Sequence, residues 1–252
     1  MSSRTKIVLA LDGLSVEEAT RLTKEVGDRC YAVKIHDLFD AEGESIVRHL
    51  TMLGAKVWVD AKLHDIPKTA AKRAATIVWR GARIITVHAS GGVEMMKAVV
   101  DRLNTGYGLV PSVWAVTVLT SLGPQEIARI HGADRMPKQI VLDFALMAKE
   151  AGVQGVICSP QEVGMLSKHP DLRGVELITP GVRSLGASIG DQKRTGTPKQ
   201  AIDDGASFIV VGSQVTEAKD PVAAFNAIAA EIGTNAQSAD TRKTCSQNIA
   251  LH

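Results

Sequence analysis

Between Val57 and Thr69 the chain reads VWVDAKLHDIPKT, and Asp60, Lys62 and Asp65 fall within six residues directly behind an apolar run. Val57, Trp58 and Val59 have the β-branched and aromatic character of a buried strand. Side chains alternate across a strand, so Asp60 and Lys62 project from one face, and Asp65 lies just past the strand end. Carboxylates on both sides of a lysine favour its ammonium form, and a fixed ammonium is a ready general acid. The same three residues would also serve as an ion-pair network that only closes a strand end. Their place in the fold decides between the two.

Other residues could join this chemistry. Lys34 ends a second apolar run and could stand beside Lys62, although alone such a lysine more often lays its stem along the surface. Arg183 and the backbone amides around Val211, Gly212 and Ser213, just ahead of a helical pattern, suit a phosphate; the alternative is that Gly181 and Gly212 serve turns and Arg183 is solvated. Asp191, Gln192, Lys193 and Arg194 form either part of a ligand clamp or an exposed polar approach to a helix. His36, His64 and His131 have no metal-type spacing and read as surface or loop residues. Gly91 and Gly92 mark a short turn, not a dinucleotide fingerprint, and no nucleophile elbow occurs. These readings predict no metal and no redox cofactor.

The elements that position these groups recur with a regular rhythm. Apolar runs at Ile7 to Asp12, Ala32 to Ile35, Val57 to Lys62, Ile84 to His88, Val113 to Leu119, Gly155 to Cys158, Glu176 to Thr179 and Phe208 to Val211 alternate with helical patterns. Ser15 with Glu18, and Ser159 with Glu162, have capping-box spacing, and Thr197 with Pro198 supplies a cap and a first-turn proline. About eight such alternations fit a closed (β/α)8 barrel better than an open sheet. Barrels carry their reactive groups at the carboxyl ends of strands, where Asp12, Lys34, Asp60, Lys62, His88 and Thr120 fall. Two stretches break the rhythm. The Gly-rich basic segment from Thr179 to Thr197 has the length of a lid or ligand clamp. The polar segment 233–252 has no apolar stripe and reads as a disordered tail behind a barrel domain of residues 1–232.

Composition sets the outer bounds. The chain has 252 residues, 45% of them hydrophobic, enough for one barrel with a sizeable core. A formal charge of +2 without long basic runs argues against nucleic acid or an anionic membrane as partner, while small anionic ligands remain open. Cys30, Cys158 and Cys245 are few and lack metal spacing, as in a reduced cytoplasmic protein whose thiols fill the core. The Ile7 to Leu11 run is too short for a signal segment and no apolar stretch approaches membrane-spanning length, so a soluble chain is expected.

Taken together, DAKLHDIPKT at Asp60 to Thr69, PGVR at Pro180 to Arg183 and DQKR at Asp191 to Arg194 resemble the orotidine 5′-phosphate decarboxylase family. The likeness runs from about Lys6 through Pro221 and includes ALD at Asp12, VKI at Lys34, VHASGG from Val87 and LTS around Thr120. It implies loss of CO2 from C6 of orotidine 5′-phosphate without a cofactor, giving uridine 5′-phosphate in pyrimidine synthesis. Lys62 is then the proton donor to C6, within a charged array that includes Lys34 and Asp60, the latter facing the departing carboxylate. The resemblance also implies a homodimer in which Asp65 and Thr69 reach the partner's site. Asp12 is assigned to the ribose, Thr120 and Pro180 to the pyrimidine, Gln192 to the closing lid, and Arg183, Gly212 and Ser213 to the phosphate.

Three positions depart from the family pattern. Ser213 stands where many members have an arginine for the phosphate, Lys68 stands where an asparagine is usual, and His36 with Asp37 follows Lys34 where many bacterial members have glycine. Two other functions share the DxKxxD pattern. One is a Mg2+-dependent sugar-phosphate synthase or decarboxylase of the same barrel group. The other is a phosphate-ligand binding paralogue without turnover.

Overall fold

Eight short strands pair in parallel, each with its successor, and the eighth closes on the first. They are β1 (Ile7–Ala10), β2 (Ala32–Ile35), β3 (Val57–Leu63), β4 (Ile84–His88), β5 (Ser112–Val116), β6 (Gly155–Ile157), β7 (Glu176–Thr179) and β8 (Phe208–Val211). The computed structural model describes residues 5–105, 110–132, 135–185 and 194–233. Around the strands run α1 (Val16–Val26), α2 (Asp37–Glu42), α3 (Glu44–Met52), α4 (Pro67–Trp79), α5 (Gly92–Asn104) and α6 (Pro124–His131). They are followed by α7 (Pro137–Glu150), α8 (Pro160–Ser167), α9 (Pro198–Asp203), α10 (Ser213–Thr216) and α11 (Pro221–Glu231). The expected (β/α)8 barrel is therefore the fold. Among the described residues no helix is long and apolar enough to cross a membrane. Apart from Gly233, the expected tail lies outside the described residues.

The alternation of side chains divides the core in two. Ile7, Leu9, Val33, Ile35, Val57 and Val59 point outward and pack under the helices. Val8, Ala10, Ala32, Trp58, Trp114 and Val210 point inward and fill the barrel. The inner filling is strongly aromatic: Trp58 meets Trp114 edge to face at 4.8 Å, and Tyr31 stacks on Phe208 at 3.7 Å. The indole nitrogens of both tryptophans are satisfied, Trp58 donating to Thr86 Oγ1 at 2.6 Å and Trp114 to Glu176 Oε2 at 3.0 Å. Gly155 makes room for this packing, since a Cβ there would lie 2.7 Å from both the Trp114 ring and Ile178.

The sequence places several helix starts correctly. Ser15 and Glu18 form their capping box, as do Ser159 and Glu162, and the Thr197 hydroxyl accepts from the Gln200 amide ahead of Pro198. Each such cap stabilises its helix by about 1 kcal/mol. Strand ends differ from expectation. β1 stops at Ala10 rather than Asp12, β5 at Val116 rather than Leu119, and β6 at Ile157 rather than Cys158, while β3 runs on to Leu63. At the mouth the strands diverge and their last residues turn from ladder pairing to single bonds, such as Leu11 N to Lys34 O and Thr117 N to Ile157 O.

Candidate active site

Parallel register brings the reactive groups side by side. Lys34 pairs with Ala10 on one flank and Trp58 on the other, so its inward side chain sits between the ends of β1 and β3. On β3, Trp58, Asp60 and Lys62 follow one another on the inner face at every second residue. The β3–β4 ladder breaks between Val59 and Leu63, and within that irregularity Lys62 adopts φ +43°, a left-handed value no other non-glycine residue shows among those described. Such backbone is unfavourable for a side chain of this size and marks places where a bulge aims a functional group.

The charges form a short alternating chain. Asp12 Oδ2 lies 2.5 Å from Lys34 Nζ, which lies 3.3 Å from Asp60 Oδ2. The same Asp60 oxygen is 2.8 Å from Lys62 Nζ. Burial alone would lower Lys34, but Asp60 and Asp12 outweigh it and hold the ammonium above its usual range. Burial alone would raise Asp60, but Lys34 and then Lys62 outweigh it and keep the carboxyl below its ordinary value. Asp60 is thus an anion with one oxygen shared by two ammonium groups. Its other oxygen, Oδ1, is buried, and the nearby Thr86 hydroxyl also helps to hold the carboxyl down.

These groups line a cavity of about 320 Å3 at the carboxyl ends of the strands, within the size range of small-ligand sites. Asp12, Lys34, Asp60, Lys62, Thr120, Pro180, Arg183, Gly212 and Ser213, all singled out from the sequence, line it together. Val116, Val118, Ile157 and Val210 supply its apolar wall. Trp58 also lines it, with Lys34 Nζ 6.0 Å from its ring centre. Sequence reasoning passed over Trp58, although its two-residue spacing from Asp60 was signal enough. Gln192, together with Asp191 and Lys193, lies outside the described residues.

Other expectations are corrected. Asp65 does not flank Lys62 within the protomer: it sits on the exposed turn before α4, its Oδ1 accepting from the Ile66 amide at 2.7 Å. Nearness in sequence misleads here because the chain turns away after Leu63. Thr69, assigned with Asp65 to the partner's site, is half-buried in the first turn of α4, and the two lie outside this protomer's cavity as that assignment requires. Lys34 is buried rather than lying along the surface. Arg194, open to reading as an exposed residue, is buried against Glu162.

His36 is exposed at the mouth, with Nδ1 2.7 Å from the Asp60 carbonyl oxygen. His88 ends β4 as expected but does not line the cavity; its ring lies 5.7 Å from that of His64. Burial, with His64 and Lys62 nearby, pushes His88 below the usual imidazole value, so it is neutral at pH 7. Cys30 and Cys158 are buried. No group of three or more His, Cys, Asp or Glu suited to a metal occurs among the described residues.

Known proteins resemble this chain along most of its length. The model of the family described as "Orotidine 5'-phosphate decarboxylase / HUMPS family" matches residues 5–228. The orotidine 5′-phosphate decarboxylase of Pseudoalteromonas translucida is 41% identical over 219 residues, covering 86% of this chain and 93% of its own length. That of Syntrophomonas wolfei is 39% identical over 240 residues, 92% and 99% of the two chains. The crystal structure of the Lactobacillus acidophilus orotidine 5′-phosphate decarboxylase superposes with a TM-score of 0.77 at 36% identity, over 91% of this chain and all of that one. With the family match spanning the barrel and relatives this similar along nearly their full lengths, the chain belongs to the orotidine 5′-phosphate decarboxylase / HUMPS family.

Proposed function

We propose that the chain converts orotidine 5′-phosphate to uridine 5′-phosphate and CO2 without a cofactor, with Lys62 delivering the proton to C6. The bond from C6 to the carboxylate breaks, CO2 departs, and the electron pair left on C6 takes a proton from the Lys62 ammonium; solvent then restores the ammonium. A carbanion with no electron sink needs fixed positive charge beside it. An array oriented before reaction supplies that charge with little reorganisation. The observation that carries this reading is the Lys34, Asp60 and Lys62 array at the cavity wall. The buried, anionic Asp60 carboxylate suits a role facing the departing carboxylate. Asp12 is assigned to the ribose, Thr120 and Pro180 to the pyrimidine, Gln192 to loop closure, and Arg183, Gly212 and Ser213 to the phosphate, gripping the substrate far from C6.

The donor set favours this over a magnesium-dependent sugar-phosphate reaction, because two ammonium groups occupy the position beside Asp60 that a divalent cation would take. Residues 1–232 act as one catalytic domain in the cytoplasm. The working form is a homodimer in which Asp65 and Thr69 complete the partner's site. Its support is the surface around α4, where Ile66 is 67% and Trp79 76% exposed at either end of the helix that follows Asp65. Purified protein mixed with orotidine 5′-phosphate is expected to lose the ultraviolet absorbance of the carboxylated ring at an unchanged rate with chelator present. Turnover abolished by chelator would favour the metal reaction, and binding without turnover a non-catalytic paralogue.

A further inference from the structure

Arg194 is 6% exposed, Glu162 is 2% exposed, and neither lines the cavity. Arg194 Nη1 donates to Glu162 Oε1 at 2.6 Å, while Nη2 donates to the carbonyl oxygens of Val118 at 2.9 Å and Leu119 at 3.0 Å. Those carbonyls belong to the segment just past β5, beyond the last bond to its neighbour strand at Thr117. Val118, Leu119 and Thr120 from this segment line the cavity. Glu162 is fixed in turn by its cap: Oε2 accepts from the Ser159 amide at 3.0 Å and from the Ser159 hydroxyl. One rigid, planar guanidinium therefore ties the first turn of α8 to a cavity wall that has left the sheet.

We propose that Arg194 is a positioning residue that holds the Val118 to Thr120 wall against the pyrimidine ring, and that Glu162 orients Arg194. The proposal rests on the assignment of Thr120 to the ring under the proposed reaction. A buried ion pair is weak evidence for stability alone, since a well-packed apolar pair of similar size often serves a fold equally well. A fork aimed at two consecutive carbonyls at the cavity edge has a geometric use that an apolar pair lacks.

The test compares Arg194→Lys, which keeps the charge opposite Glu162 but loses the fork, with the double variant Glu162→Leu/Arg194→Met, which removes both charges. Dissociation constants are measured for uridine 5′-phosphate, which carries the ring, and for ribose 5-phosphate, which does not. Both variants are expected to bind uridine 5′-phosphate about tenfold more weakly, with ribose 5-phosphate within about twofold of wild type and kcat/KM reduced roughly 10- to 100-fold. Equal loss for both ligands, no loss for either, or a lowered Tm with unchanged binding would overturn the proposal. Should one variant fail to fold, the other decides. Wild-type turnover reports separately on the reaction, and uridine 5′-phosphate binding is read whether or not turnover occurs.

Discussion

Lys62 meets Asp60, two residues before it on the same strand, at 2.8 Å from within a bulge where its own backbone is left-handed. In a regular strand the inner face would offer both side chains to the barrel axis. Here the lysine, within the irregularity and nearer the mouth, is one-third exposed while its aspartate partner stays largely enclosed. A cation anchored from behind and open in front is suited to donating a proton into a ligand.

Replacing Lys62 by alanine is expected to preserve the fold and cut kcat by about 10⁴-fold or more, since it removes both the proton donor and the charge beside C6. Circular dichroism checks the fold and ultraviolet absorbance the turnover. A rate near wild type would remove Lys62 from the acid role.

The array also sets a pH dependence of stability. Asp60 is held below its ordinary value, so its contribution is present above the unfolded carboxyl value of about 4 and is lost as pH falls through the folded one. Lys34 is held above its ordinary value, so its contribution is present below about pH 10 and is lost as pH rises through the folded one. Tm is therefore expected to be flat from roughly pH 7.5 to 9, to decline as pH falls below the unfolded imidazole value of about 6.5 because buried His88 resists protonation, and to fall further in acid as Asp60 is protonated. Asp60→Asn is expected to lower Tm at pH 7 and to shrink the acid fall. An acid fall of the same size in Asp60→Asn as in wild type would contradict this account.

If Asp65 serves the partner's site, Lys62→Ala and Asp65→Ala chains are each inactive alone but complement each other. Random reassortment places one intact site in each mixed dimer, so about a quarter of wild-type activity is expected after unfolding and refolding together. No recovery, with mixed dimers demonstrated by mass, would place Asp65 in its own protomer's site.

Ser213 lines the cavity at the first residue of α10. Ser213→Arg is expected to tighten ribose 5-phosphate about tenfold, the worth of one added charge-assisted hydrogen bond. Titration calorimetry measures it, and unchanged or weaker affinity would mean that Arg183 and the neighbouring amides already fill the task.

The alternating strands and the capping boxes were legible because periodicity and local hydrogen bonding act over a few residues. The array was legible as well, because the two-residue period of β3 puts Asp60 and Lys62 on one face and the barrel rule puts that face at the mouth. Asp65 misled, since spacing along the chain says nothing about a turn that carries the backbone away. Arg194 was open to an exposed reading because a charged residue in a basic, glycine-rich stretch ordinarily is exposed; its carboxylate partner lies 32 residues earlier in another helix. The departure of Lys62 from regular strand geometry carried no signal in residue type at all.

The packed Tyr31, Trp58, Trp114 and Phe208 rings have a consequence for traffic. They fill the barrel interior beneath the reacting groups, so the described cavity opens at the carboxyl ends of the strands. CO2 formed there leaves by the same mouth that admits the nucleotide, so both products share one exit.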